Sequence, residues 1–397
     1  MDTAVTANTA FELAPGHARL RDAARSAAAE FGSRATEVRR HLIDHSRMHP
    51  ELWALFCANG WAGLGLEPDR AGGDGGLLGM AIVLEAFAEQ GIVLWMPVLS
   101  TAIARAIETV GPQAAAETWT PRVASGATHV GMAATEPHAG HNIFAVETEI
   151  RRDGDTFIVN GLKRITSGLD VADRVLVFGR ADRRDLGAGY TTVLLDPRAP
   201  GVTTTEIPMR FREGVRQFQL EFDCVTVPAD ALVGSEGRGL ATMWPFTHAE
   251  RALTAAVCTG TAQYSLGRAI AHAGNRTISG TTPIGAEQAI SHPLAALHAR
   301  LTAARMVVYR TAARIDSGID GDTAASDSNI AKLLAADVAF DAADHAVQVL
   351  GATAWDDRDG MIDIYLDARL SRSGPVSNEF TLNHIAHHVL GLPAHAG

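Results

Sequence analysis

The chain has 397 residues, 47% of them hydrophobic and 20% charged, with a formal net charge of −11. That length suits two or three domains with ample buried volume, and no apolar run approaches the roughly 18 residues that a membrane span needs. Lys and Arg are scattered rather than gathered into a stripe, which argues against a nucleic-acid surface and for a small-molecule partner.

Residues 1–10 are small and polar, without the basic and apolar regions of a signal peptide, and are expected to fray. Across residues 17–47 apolar side chains recur at helical spacing (Leu20, Ala24, Ala27, Ala28, Phe31) among charged ones, which predicts an amphipathic helical hairpin. A third helix over 50–59 stops at Gly60. Gly63-Leu-Gly-Leu66 and Pro68 then break the pattern, and Ala71-Gly-Gly-Asp-Gly-Gly76 reads as a loop. Residues 80–90 are apolar all round, the mark of a buried helix, and Gly91 ends it. Segments 99–110 and 112–123 complete a helical bundle, so the first domain is set at 1–127.

The period then changes from helical to alternating. Residues 146–150 and 157–159 flank Asp153-Gly154, a hairpin turn whose residues tolerate positive φ. Short strands follow at 174–178, 191–195, 202–206 and 217–222, each bounded by Gly, Pro or Asp, which predicts a compact antiparallel β domain over 128–235. The helical period returns at 241–274, 287–317, 324–350 and 377–390. This gives a C-terminal four-helix bundle over 236–397 and an overall α+β class.

Cys57, Cys224 and Cys258 are odd in number, far apart and set in apolar or strand-like contexts, so buried free thiols in a reducing, cytoplasmic compartment are expected. His384, His387 and His388 fall at helical spacing, but no supporting carboxylate pattern accompanies them and no metal site is expected. The glycines of residues 72–76 lack the helix and the Lys-Ser/Thr of a P-loop, and no Gly-x-Gly-x-x-Gly stands in a Rossmann context.

The order helices, strands, helices carries a set of motifs: Thr135-Glu-Pro-His-Ala-Gly140; Asn160-Gly-Leu-Lys163 with Ile165-Thr166; Phe222-Asp-Cys-Val-Thr-Val-Pro228; Glu250-Arg251; Arg276 with Gln288; Gln348-Val-Leu-Gly351; and Asp367-Ala-Arg369. In this order and spacing, from about residue 20 to 393, the chain resembles the acyl-CoA dehydrogenases. The resemblance implies FAD between the β domain and the C-terminal helices, with an acyl-CoA threaded over the flavin. A base would take the α-proton while the β-hydrogen leaves as hydride to flavin N5. It implies that Thr135, Ile165 and Thr166 bond the flavin ring, that Ser377 and Glu379 touch FAD, and that Arg276, Gln288, Gln348 and Gly351 serve the FAD of a neighbouring subunit. A homo-dimer or homo-tetramer follows, with an electron-transfer flavoprotein as electron acceptor.

Many relatives carry their base two residues before the position of Ser377, where this chain has Pro375, and proline cannot take a proton. A second lineage places the base on the first long C-terminal helix, immediately before an arginine, and Glu250-Arg251 stand there. Glu250 is therefore expected to be the base, with Glu379 in reserve and Arg251 on the substrate side; the bland alternative is a glutamate near a helix start complementing its dipole. Two departures bear on the substrate. Gly140-His141-Asn142 replaces the family's Gly-Ser-Asp, so that either His141 substitutes as the donor to the thioester arm or the thioester carrier is other than CoA, and Arg164 replaces a tryptophan beside the flavin. They leave two alternatives open: a flavin monooxygenase on the same fold, or a silent partner subunit of a hetero-oligomer.

Overall fold

The computed structural model describes residues 13–45, 48–70, 72–182, 187, 189–210 and 215–394. The expected tail at residues 1–10, the end of the first hairpin at 46–47 and Ala71 lie outside the described residues. In chain order the first helices are α1 (Pro15–Gly32), α2 (Ala35–His45), α3 (Pro50–Ala58), α4 (Gly76–Ala88), α5 (Trp95–Val110) and α6 (Gln113–Ala124). The strands are β1 (Val130–Ala133), β2 (Glu149–Asp153), β3 (Thr156–Ser167), β4 (Arg174–Arg180), β5 (Tyr190–Leu195), β6 (Val202–Ile207) and β7 (Gln217–Pro228). Helices return as α7 (Leu240–Asn275), α8 (Gln288–Asp316), α9 (Gly321–Leu350), α10 (Met361–Ser371) and α11 (Asn378–His384). The expected α+β plan is thus present.

The chain divides into two compact units. One holds Met1–Arg39, Gly75–Leu94 and Arg251–Gly397; the other holds Arg40–Asp74 and Trp95–Glu250. The dividing point falls inside α7, between Glu250 and Arg251.

In the first unit the long helices pack through small residues. On α9, Ala331, Ala335, Ala339, Ala342 and Ala346 recur at helical spacing, each no more than 1% exposed. A stripe of methyl groups lets neighbouring helices approach closely. Helix α4 begins four residues before the expected position 80. Its capping group is remote: the Asp316 carboxylate accepts the N–H of Leu77 at 2.8 Å and of Leu78 at 3.0 Å. Those are donors that a helix start leaves without partners. Helix α10 was not expected; it starts after Gly360, whose φ of 77° suits glycine. The last helix is shorter than expected and continues from His384 into a π-helical turn over Ile385–Val389.

In the second unit seven strands, among the described residues, form one sheet in the order β1-β4-β2-β3-β7-β6, with β5 also on β4. The hairpin expected at Asp153-Gly154 joins β2 to β3 with Asp153 opposite Thr156. Antiparallel pairing predominates, but β1 runs parallel to β4 and β2 meets β4 in parallel at Glu149 and Arg180. The sheet buries alternate residues, among them Ile150, Phe157, Val159, Leu220 and Val225, in one apolar cluster. Cys258 is buried, Cys57 is intermediate, and Cys224 is exposed at a φ of 49°. The expectation that all three thiols are buried therefore holds for Cys258 only: Cys57 is half-buried and Cys224 is exposed. Its strand is irregular there, because β3 and β7 slip register between Val159 and Gly161 and the side chain turns outward.

Candidate active site

In the β-sheet unit, the motif after β1 is organised around a buried ion pair. Lys163, fully buried on β3, places Nζ 2.7 Å from Glu136 Oε1 and 2.8 Å from the Ala134 carbonyl. The same Glu136 carboxylate accepts the N–H of Glu147 at 2.6 Å and of Thr148 at 3.0 Å. Burial pushes the Glu136 carboxyl up, but the Lys163 charge and hydrogen bond, with the two backbone N–H groups, outweigh it and hold the group below its ordinary range. Glu136 and Ala139 exchange backbone hydrogen bonds of 3.0 and 3.2 Å, which closes the turn through Pro137 and His138. The Glu-Pro and Asn-Gly-x-Lys motifs, 27 residues apart between Glu136 and Lys163, thus meet in one buried contact.

That contact sets the register of the expected flavin residues. The Arg164 N–H donates to the Thr135 carbonyl at 2.8 Å, so Thr135 lies against the start of the Arg164-Ile165-Thr166 segment. Between Lys163 and Thr166 the β3·β7 pairing slips, and Ile165 takes a φ of 57°. A β-branched residue rarely adopts that conformation, and such strain persists only where its surroundings enforce it. The slip turns Ile165 outward, 42% exposed, and Thr166 inward, 0% exposed. The Thr166 Oγ1 is buried without a hydrogen-bond partner. Arg164 and His141 are exposed.

Glu250 and Arg251 are both half-buried on α7. The expectation that Glu250 sits near the helix start is corrected: α7 begins at Leu240, ten residues earlier. At about 3.6 residues per turn that is nearly three turns, whereas the helix dipole acts over the first one. Complementing the dipole is therefore not the role of Glu250.

In the helical unit, the turn between α10 and α11 is held from within by a residue that pattern reading passed over. Lys332 on α9 is 0% exposed, and its Nζ donates to the Val376 carbonyl at 2.6 Å and to Asn378 Oδ1 at 2.9 Å. Burial lowers its pKa to about 8. The signal was available, since Lys332 shares the buried face of α9 with Ser328, Ala335, Ala336 and Ala339. Ser377 caps α11, its Oγ accepting the Phe380 N–H at 3.2 Å. Glu379 is exposed, and its own backbone N–H, then Ser377, Arg372 and Lys332, hold its carboxyl below the ordinary range. That makes it a weaker base than an ordinary glutamate. Pro375 is exposed in the same turn.

The remaining expected residues lie on the surface of the helical unit. Arg276 is exposed in the link between α7 and α8, its N–H bonded to the His272 carbonyl at 2.8 Å, and Ile278 beside it is 86% exposed. Gln288 opens α8; Gln348 lies in the last turn of α9, followed by Gly351 at a φ of 59°. His384 and His388 stack with ring centroids 4.8 Å apart, and among the described residues no group of three or more His, Cys, Asp or Glu could hold a metal ion.

Family models match along nearly the whole chain: "Acyl-CoA dehydrogenase, N-terminal domain" at residues 15–127, "Acyl-CoA dehydrogenase, middle domain" at 131–225 and "Acyl-CoA dehydrogenase, C-terminal domain" at 237–390. The chain is 35% identical over 391 residues to the acyl-CoA dehydrogenase FadE12 of Mycobacterium tuberculosis, covering 97% of this chain and 99% of that protein. Among solved structures, a glutaryl-coenzyme A dehydrogenase in complex with glutaryl-CoA superposes with a TM-score of 0.89 at 23% identity, covering 96% of this chain and 97% of the other. The butyryl-CoA dehydrogenase of Megasphaera elsdenii gives a TM-score of 0.86 at 25% identity, covering 96% and 99%.

Proposed function

The chain belongs to the acyl-CoA dehydrogenase family, and from that premise we propose that it is an FAD-dependent α,β-dehydrogenase of an acyl thioester, CoA-linked, with Glu250 as the base. The observation that carries the assignment is Glu250 itself, a half-buried carboxylate nearly three turns into α7, where neither capping nor the helix dipole accounts for it. Pro375 offers no alternative, and Glu379 is exposed with depressed basicity.

The β-sheet unit supports FAD as cofactor. A buried threonine hydroxyl without a partner costs stability in the protein alone, and Thr166 Oγ1 is such a group, in a segment strained at Ile165 and tied to Thr135. Thr135, Ile165 and Thr166 would hold the ring, and in the helical unit Ser377 and Glu379 are the residues that would touch FAD. Bound FAD supplies the hydride acceptor. The protein's own part is to take the α-proton of a weak carbon acid, for which a positioned carboxylate with limited hydration is suited. Arg251 follows Glu250 on the substrate side, and exposed His141 would be the donor to the thioester arm.

Arg276, Gln288, Gln348 and Gly351, at the surface of the helical unit, fit residues that serve a second copy, and exposed Ile278 and Trp355 offer apolar area for it. We read the protein as a cytoplasmic homo-oligomer that passes its electrons to an electron-transfer flavoprotein. No helix among the described residues is long and apolar enough to cross a membrane.

Anaerobic bleaching of the bound flavin by a panel of acyl-CoAs tests the reading, with Glu250→Gln as control. Rapid bleaching by the parent and its loss in the variant are expected. Equal rates in both would remove Glu250 from the mechanism, and no bleaching of the FAD-loaded parent by any thioester would remove the dehydrogenase.

A further inference from the structure

Lys332 occupies a position where its charge is costly. It is fully buried on a 30-residue helix, and among the described residues no carboxylate lies within ion-pair distance of it. A buried cation without a counter-ion in contact is expensive, and an apolar side chain of the same length would fill the space without that cost. What lysine adds is donors, and its two acceptors belong to one turn: the Val376 carbonyl and the Asn378 side chain.

Asn378 extends the contact. Its Nδ2 donates to Asp337 Oδ1 at 2.8 Å, and Arg372 Nε lies 3.1 Å from the same oxygen. Its backbone N–H closes the turn on the Arg372 carbonyl at 3.0 Å. Val376 and Asn378 are 4% and 3% exposed, while Ser377 and Glu379 alternate with them toward the outside. Pulling the even-numbered residues inward therefore fixes the direction in which the odd-numbered ones face.

We propose that Lys332 is a positioning residue for the cofactor side of the helical unit: anchored on rigid α9, it draws Val376 and Asn378 inward and so sets Ser377 and Glu379 in the orientation in which they meet FAD. This rests on the reading of the protein as an FAD enzyme. Lys332 itself touches neither cofactor nor substrate in this scheme. The charged groups around it are Arg251 on α7, Asp337 on α9 and Glu379 at the start of α11, with the Cys258 thiol also on α7. As the ammonium loses its proton the two bonds cease to be charge-assisted, and the hold on the turn weakens.

The test uses the full-length chain, stripped of flavin and titrated with FAD by fluorescence quenching, with hydrogen exchange followed in peptides covering residues 372–384. Lys332→Met is expected to weaken FAD binding by about tenfold or more, the worth of one charge-assisted hydrogen bond, and to speed exchange in that peptide while the β-sheet peptides are unchanged. The parent's FAD affinity is expected to fall as pH rises through about 8, and the variant's to lack that step. A merely structural lysine would leave the pH dependence of FAD binding the same in both. FAD affinity within about twofold of the parent, with unchanged exchange at 372–384, overturns the proposal. Should Lys332→Met fail to fold, Asn378→Ala, which removes one of the two acceptors, carries the same comparison with the same two outcomes. If the parent takes up no FAD, the cofactor reading falls, and the exchange comparison alone decides whether Lys332 sets the turn.

Discussion

Lys163 and Glu136 form an ion pair 2.7 Å long in which the lysine is 0% and the glutamate 7% exposed. The pair ties β3 to the segment after β1, and two backbone N–H groups complete the coordination of the carboxylate. Removing one partner of such a pair leaves a buried charge uncompensated. Lys163→Met should therefore cost about 3–5 kcal/mol in urea unfolding. A loss below about 1 kcal/mol would mean that the pair is peripheral to the fold.

The same pair predicts an acid limit. The folded-state pKa of Glu136 lies below its ordinary value of 4.5, so its contribution is complete above that value and is lost as pH falls through the depressed one. The stability difference between the parent and Glu136→Gln should shrink as pH falls below 4.5. A difference that widened on acidification would contradict the assignment.

Thr166→Val separates folding from cofactor binding. Valine keeps the shape and removes a hydroxyl that has no partner in the protein, so the flavin-free protein should be as stable as the parent or more so, by up to about 1–2 kcal/mol. FAD affinity should fall in the same variant. Thermal melts of the flavin-free protein and FAD titrations check the two signs, and a drop in both quantities would show that the hydroxyl serves the fold.

Glu250→Gln keeps the size and one acceptor oxygen but removes the base. The rate of flavin reduction by a bleaching acyl-CoA should fall by about 10²–10⁴, while the affinity for FAD and for the thioester product stays near the parent's. Stopped-flow absorbance at the flavin band measures the first quantity and equilibrium titration the others.

Asp316→Ala tests the remote cap of α4. Loss of a capping carboxylate costs about 1 kcal/mol, up to about 2, and exchange should rise at the amides of Leu77 and Leu78 before it rises elsewhere on α4. Unchanged protection there would mean that water replaces the carboxylate without penalty.

Much of the fold was legible because helix and strand periods are local. The alanines of α9 and the alternation in β2, β3 and β7 repeat over distances that a short window contains, and Asp153-Gly154 marks its hairpin by chemistry alone. What was misread depended on contacts distant in sequence. Gly75 and Gly76 give no sign that a helix starts there, because the cap is Asp316; likewise Cys224 turned out exposed because of a register slip against β3.

The site divides in the same way. The sequence by itself determined the family and the inventory of chemical groups, since Glu250-Arg251, Pro375 and the Thr135 and Ile165-Thr166 motifs are fixed by residue type and order. Only the tertiary structure decided which of those groups are placed and constrained: that Thr166 is buried with its hydroxyl unpaired, and that Lys332 grips the turn bearing Ser377 and Glu379. The physical reason is that residue type sets what a side chain can donate or accept, whereas burial and partners are set by neighbours that the chain brings in from far along its length.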